Sequence, residues 1–327
     1  MPQPRDARNA ADERFQVLVE HSSDIVFVVD AHGILTFLNH TAADTFGVPV
    51  EEALSTPVFR FVHPDDVDAF ALTCDGLLAA PETSATETLR FVGTTGGVRT
   101  FETVATNRLA VPSVAGLVVN GRDVTERNDY IERLEQSFSA ITEAVTTIVE
   151  IRDPYTAGHQ RQVARLATAI ARQLGLPEHT VKGIQVAATL HDIGKIAVPI
   201  EILARPGHLT PAELEMVRTH PQTGAHIVTN ASFPWPVAEM ILQHHERLDG
   251  SGYPRGLQGD DILFEARVIS VADVVSAMSV HRPYRAGLGI PAAVAEIEAN
   301  RGLLYDAAVV DACLRVLDQG SAPGLDM

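Results

Sequence analysis

Five histidines and two aspartates in the second half of the chain recur at nearly even intervals, and no other feature limits the possible folds so strongly. His159 to His191 spans 32 residues, followed by 29 to His220, 24 to His244 and 28 from His245 to Asp273. Each interval is roughly one antiparallel helix pair with its loops, since a typical helix runs about 11 to 12 residues. The local sequence around each is helical. His159 opens a segment in which Val163, Leu166, Ile170 and Leu174 share one apolar face. His191 and Asp192 end the apolar run IQVAATLHD, and His220 follows ELEMVRT. His244 and His245 begin HHERLDGSGYP, and Asp273 lies within ARVISVADVVSAM. The spacing predicts an all-α bundle in which equivalent positions of successive helices bring these side chains to one place.

Imidazole and carboxylate without thiolate suit iron or manganese better than structural zinc. Seven ligand-type residues exceed what one ion needs, so the set implies two divalent metals with a shared ligand. Cys74 and Cys313 are far apart and lack a CxxC spacing, which excludes a disulfide framework or zinc knuckle and leaves buried thiols as the expectation.

The first 129 residues read differently. Ile25–Val29 and Ile34–Leu38 are β-rich runs separated by Asp30-Ala31-His32-Gly33, a hairpin signal. Pro64, Asp65 and Asp66 mark a helix start, and strand candidates follow at Glu87–Val92, Val98–Thr106 and Gly116–Asn120. An α+β unit with an antiparallel sheet is expected. Beyond Val124 the pattern turns helical. Ile131, Leu134, Phe138, Ile141, Val145 and Ile148 alternate by three and four, as along a coiled-coil seam, with Asp123 and Glu126 suited to the helix start. A parallel dimeric helix linking two domains is one reading; a helix packed on its own domain is the other.

Charge narrows the partners. The formal net charge is −17, spread over both halves, so no basic footprint for polymeric nucleic acid exists. A small phosphate ester stays open because metals can supply positive charge locally. No run of about 18 apolar residues suggests a membrane span. The charged N-terminus lacks the apolar stretch of a secretory signal, from which a cytoplasmic location is expected.

Two resemblances sharpen these readings. The order of strands and helices, with FVHPDD and GRDVTER, resembles a PAS sensor domain across about 110 residues. The only cysteine there, Cys74 in LTCDG, does not match the flavin-binding motif of light-sensing members, and His21, His32, His40 and His63 are expected to be solvated or capping rather than haem ligands. Residues 153–317 resemble the HD-GYP family of the HD phosphohydrolase superfamily, through DPYTAGHQRQV, LHDIGKIAVP, THPQTG, HHERLDGSGYP, VAD and HRPYR in that order. This second resemblance implies a cyclic di-GMP phosphodiesterase. Its metal ligands would be His159, His191, Asp192, His220, His244, His245 and Asp273, with Asp192 bridging two ions that activate a hydroxide for in-line attack. Lys195 would contact the scissile phosphate, Arg282 and Arg285 the ligand's phosphates or bases, and Tyr253 the guanine pocket. Tyr155 stands where members with a third metal carry glutamate, which favours two. Ser276 and His281 stand where members usually carry acids, leaving the orientation of ligands or the substrate preference open.

The residues support the lysine independently. Of 25 basic residues only Lys182 and Lys195 are lysines, so a lysine beside the ligands suggests a need for a compact ammonium. The expected layout is a flexible N-terminus over 1–14, a PAS-like sensor over 15–123, a linker helix over 124–152 and the HD-type helical bundle over 153–327. A homodimer through the PAS domain and linker is expected, with the PAS ligand undetermined. The rival functions are a non-catalytic cyclic-dinucleotide receptor and a diiron redox or oxygen sensor.

Overall fold

The computed structural model describes residues 14, 17–153, 158–205, 207–279 and 288–319. The chain forms two compact units, Met1–Gln136 and Ser137–Met327. The flexible N-terminal tail expected over 1–14 lies, apart from residue 14, outside the described residues.

In the first unit, β1 (Ile25–Val29), β2 (Leu35–Leu38), β3 (Ser84–Val92), β4 (Val98–Asn107) and β5 (Leu117–Asp123) form one sheet in the order β2-β1-β5-β4-β3. Every pairing is antiparallel. The Asp30–Gly33 hairpin turn forms as expected: the Asp30 carboxylate accepts the His32 and Ile34 N–H groups. Strand β3 starts three residues before the expected Glu87, because Ser84 to Thr86 continue the ladder against Val104 to Thr106. Their small polar and β-branched side chains suit a solvent-facing strand but carry little alternation to announce it.

Helices α1 (His40–Phe46), α2 (Val50–Ala53) and α3 (Val67–Ala79) accompany this sheet. A cluster of phenylalanines fills the core, and Phe27, Phe46, Phe61, Phe70, Phe91 and Phe101 are all fully buried. Phe46 and Phe61 stack at 4.5 Å, while Phe91 meets Phe27 and Phe101 edge-on. His21, His32 and His40 are exposed, and His63 caps a 3-10 turn by accepting the Asp65 N–H, so each takes the solvated or capping role expected.

The second unit is helical: α4 (Thr125–Arg152), which crosses the unit boundary, α5 (His159–Gln173), α6 (Glu178–Leu190), α7 (Ile200–Leu203), α8 (Pro211–Val217), α9 (His220–Val228), α10 (Val237–Gln243), α11 (Phe264–Ser279), α12 (Ile290–Ala299) and α13 (Ala307–Asp318). The apolar face expected for α5 is the one it buries: Val163, Leu166 and Ile170 enter the core, with Leu174 packed at its margin. Helix α11 is buried nearly all round, and its Val268, Ile269, Val271, Ala272 and Val275 join the same core. On α4, Thr146 and Val149 are buried, while Ile131, Leu134, Phe138, Ile141 and Ile148 are exposed. Cys74 and Cys313 are buried free thiols. No helix among the described residues is long and apolar enough to cross a membrane.

Candidate metal centre

Helix ends place most of the ligand-type side chains. His191 and His244 are the C-cap residues of α6 and α10, and His220 follows the end of α8. The last four carbonyls of a helix lack intrahelical partners. Each of these histidines uses one: Nδ1 of His191 lies 2.7 Å from the Ala188 carbonyl, that of His220 2.7 Å from Val217, and that of His244 2.6 Å from Ile241. A carbonyl only accepts, so Nδ1 carries the proton and Nε2 is left with a free lone pair.

Two close backbone approaches bring these ends together. A Cβ on Gly194 would stand 1.9 Å from the His220 carbonyl oxygen, so the turn after Asp192 can touch the start of α9 only with glycine there. Similarly, a Cβ on Gly252 would stand 2.4 Å from the Arg247 nitrogen, and glycine lets the loop carrying Tyr253 fold back on the end of α10.

The seven residues then converge. His159, His191 and Asp273 form one group of possible ligands, His220, His244 and His245 a second, and His191, Asp192 and His244 a third, with the ligand atoms in each group within 4.8 Å of one another. His159 Nε2 lies 3.0 Å from Asp273 Oδ1, and His220 Nε2 3.3 Å from Asp192 Oδ1. Lys195 Nζ is 2.7 Å from Asp192 Oδ2 and 3.4 Å from Asp153 Oδ2. Tyr253 stacks on the His245 ring at 4.7 Å, and the Arg218 guanidinium lies 5.3 Å from the Tyr253 ring centre. Arg282 and Arg285, with Tyr155 and His281, lie outside the described residues.

The electrostatics suit a bound cation. Burial lowers the His220 and His244 pKa values to about 4 and about 3, and that of His245 falls well below its usual value. Burial works against the charge on Asp192 and Asp273 as well, yet Lys195 and His191 beside Asp192, and His159 beside Asp273, hold both carboxyls well below the ordinary range. The site thus keeps His220, His244 and His245 neutral and its carboxylates ionised, the protonation states of metal ligands, while at His191 burial is outweighed by Asp192 and Asp273, which raise its pKa. His220 Nε2 and His244 Nε2 face each other at 3.4 Å with both protons committed to carbonyls, and His191 Nε2 is buried without a hydrogen-bond partner. Opposed lone pairs in a dry interior are unfavourable unless a cation lies among them. The donor set fits divalent metal.

Several residues around the site had no role in the sequence reading. Glu246 is buried, and its two carboxylate oxygens accept the Arg255 and Leu257 N–H groups at 2.7 and 3.0 Å, closing the loop around Tyr253. An acid directly after a histidine pair was the one available signal. Glu150 on α4 accepts the Gly158 N–H at 2.7 Å, at the residue before His159, and pairs with Arg161. Ser276, known from the sequence only as a departure, is the partner of His159 Nδ1 at 3.0 Å.

The class the fold and site define is a five-stranded antiparallel α+β unit followed by a helical domain whose clustered histidines and aspartates could hold divalent metal. The chain belongs to the HD domain family, whose model matches residues 143–309, and the PAS fold matches residues 13–124. It is 40% identical over 201 residues to the cyclic di-GMP phosphodiesterase response regulator RpfG of Xanthomonas campestris, covering 61% of this chain and 52% of that protein. A cyclic di-GMP phosphodiesterase of Thermotoga maritima is 40% identical over 190 residues, covering 58% and 52%. The 3'3'-cGAMP-specific phosphodiesterase 3 of Vibrio cholerae is 43% identical over 160 residues, covering 49% and 35%. The chain spans about half the length of the first two of these relatives or less of the third.

Proposed function

We propose that the chain is a metal-dependent phosphodiesterase of cyclic dinucleotides, acting on cyclic di-GMP, with its PAS unit as regulatory input. The carrying observation is the buried meeting of His191, His220 and His244, whose Nε2 lone pairs converge beside Asp192 and Lys195. The relatives are named for cyclic dinucleotide hydrolysis, which supports the substrate class.

His159, His191, Asp192, His220, His244, His245 and Asp273 would hold two ions, iron or manganese by their donor chemistry, with Asp192 shared. When bound, such ions supply Lewis-acid charge and acidify water. The remaining work falls to the chain. Lys195, steadied by Asp153, sets a compact positive charge where a phosphoryl oxygen gains charge during attack. Tyr253 braces His245 and lines the guanine side of the site. Arg282 and Arg285 are assigned to the ligand's phosphates or bases. The exposed stripe Ile131, Leu134, Ile141 on α4 is assigned to a second copy of the chain, which light scattering at a series of concentrations checks. A cytoplasmic location accords with a nucleotide substrate.

The test is to load the full chain with ferrous iron or manganese, present cyclic di-GMP and 3'3'-cGAMP separately, and resolve products by chromatography. Conversion of cyclic di-GMP to linear dinucleotide or GMP supports the reading. With a full metal complement, turnover of neither compound would refute it, and turnover of 3'3'-cGAMP alone would move the substrate.

A further inference from the structure

His159 differs from His191, His220 and His244 in the partner of its Nδ1. It is the first residue of α5, behind Gly158 at φ 78°. His220 also opens a helix, but α8 ends three residues before it and supplies the Val217 carbonyl to its Nδ1, whereas the Nδ1 of His159 has a partner of another kind. Its Nδ1 instead meets the Ser276 hydroxyl at 3.0 Å, and that hydroxyl donates onward to the Gln162 Oε1 at 3.1 Å. With its own proton committed to Gln162, the Ser276 oxygen accepts from Nδ1, which leaves Nε2 unprotonated towards Asp273 at 3.0 Å. Ser276 is fully buried, one turn beyond Asp273 on α11, so this helix grips the His159 ring through both nitrogens.

We infer that Ser276, oriented by Gln162, is the positioning residue for His159 and makes the two metal positions unequal, the one served by His159 and Asp273 being the weaker. The inference rests on the metal reading proposed above. Carbonyls at a helix C-terminus carry the negative end of the helix dipole and pull electron density towards Nε2 of the imidazole they accept from. Their contacts here are 2.6 to 2.7 Å. A neutral hydroxyl at 3.0 Å does this less, and His159 is accordingly the poorest donor of the four.

Calorimetric titration of the metal-stripped full chain with manganese tests this without recourse to activity. The wild-type protein should show two classes of site. Ser276→Ala should weaken the weaker class by about 10- to 100-fold, the usual cost of losing a partner behind a ligating histidine, and leave the tighter class unchanged. Ser276→Thr, which keeps the hydroxyl, should restore it. A thermal melt separates this selective loss from a general loss of fold, which would affect both classes. Two equal sites in the wild type, or a Ser276→Ala isotherm superimposed on it, would overturn the inference while leaving the metal reading intact. A wild-type protein that binds no manganese overturns both.

Discussion

Replacing Glu246 with glutamine removes one acceptor and almost no volume. In the native site the carboxylate is buried, with one oxygen 2.7 Å from the Arg255 nitrogen and the other 3.0 Å from that of Leu257. Glutamine offers only one carbonyl oxygen, so its NH2 must face one of these N–H groups, donor against donor. Both bonds are part-buried, so water can reach the displaced N–H, and the expected loss is that of one hydrogen bond to a charged group, about 1.5–3 kcal/mol. The loop between Glu246 and Leu257 carries Tyr253, and Tyr253 braces His245, so the damage should reach the substrate side. Trp235 is the only tryptophan of the chain and lies in the second unit, which makes its fluorescence a selective reporter of unfolding there. Urea titration should show the lower stability, and KM for the cyclic dinucleotide should rise several-fold. A Glu246→Gln protein within about 0.5 kcal/mol of wild type, the ordinary range for inconsequential surface changes, would refute the role given to this carboxylate.

Asp192→Ala should abolish turnover and lower the bound metal measured by elemental analysis, since Asp192 faces His191, His220 and Lys195 together. Lys195→Met should instead retain metal and lower kcat by about 10²–10³, the typical cost of deleting one stabiliser of transition-state charge; loss of metal in this variant would contradict the assignment. In the metal-stripped protein, His220 and His244 have folded pKa values of about 4 and about 3, below the ordinary 6.5. Below pH 6.5 the unfolded chain therefore binds protons that these two folded imidazoles refuse, so their contribution to stability is full above that pH and falls towards pH 4 by about 1.4 kcal/mol per pH unit for each proton. Unfolding followed at pH 7, 6 and 5 checks the sign, and greater stability at pH 5 would reverse it. Phe91→Ala in the first unit, where the ring meets Phe27, Phe46 and Phe101, should cost about 3–5 kcal/mol in a circular-dichroism melt of the sheet.

The sequence carried the architecture because its periods differ between the halves. Alternation with turn residues marked all five strands to within three residues at either end, and the even spacing of His159, His191, His220, His244 and Asp273 suited convergence in a helical bundle. Side-chain type and interval are local properties, and a chain states them directly. What the sequence could not state is which atom of each side chain faces which neighbour. That Ser276 holds His159, that Glu246 ties down the Tyr253 loop, and that Glu150 and Asp153 reach from α4 and its end to Gly158 and Lys195 are matters of position. They depend on residues up to 117 positions apart, set together by the packing of whole helices. The proposed ligand set is thus legible from the chain alone, whereas the inequality inferred between its two halves arises in the fold, where His191, His220 and His244 meet carbonyls near helix ends and His159 meets a serine hydroxyl.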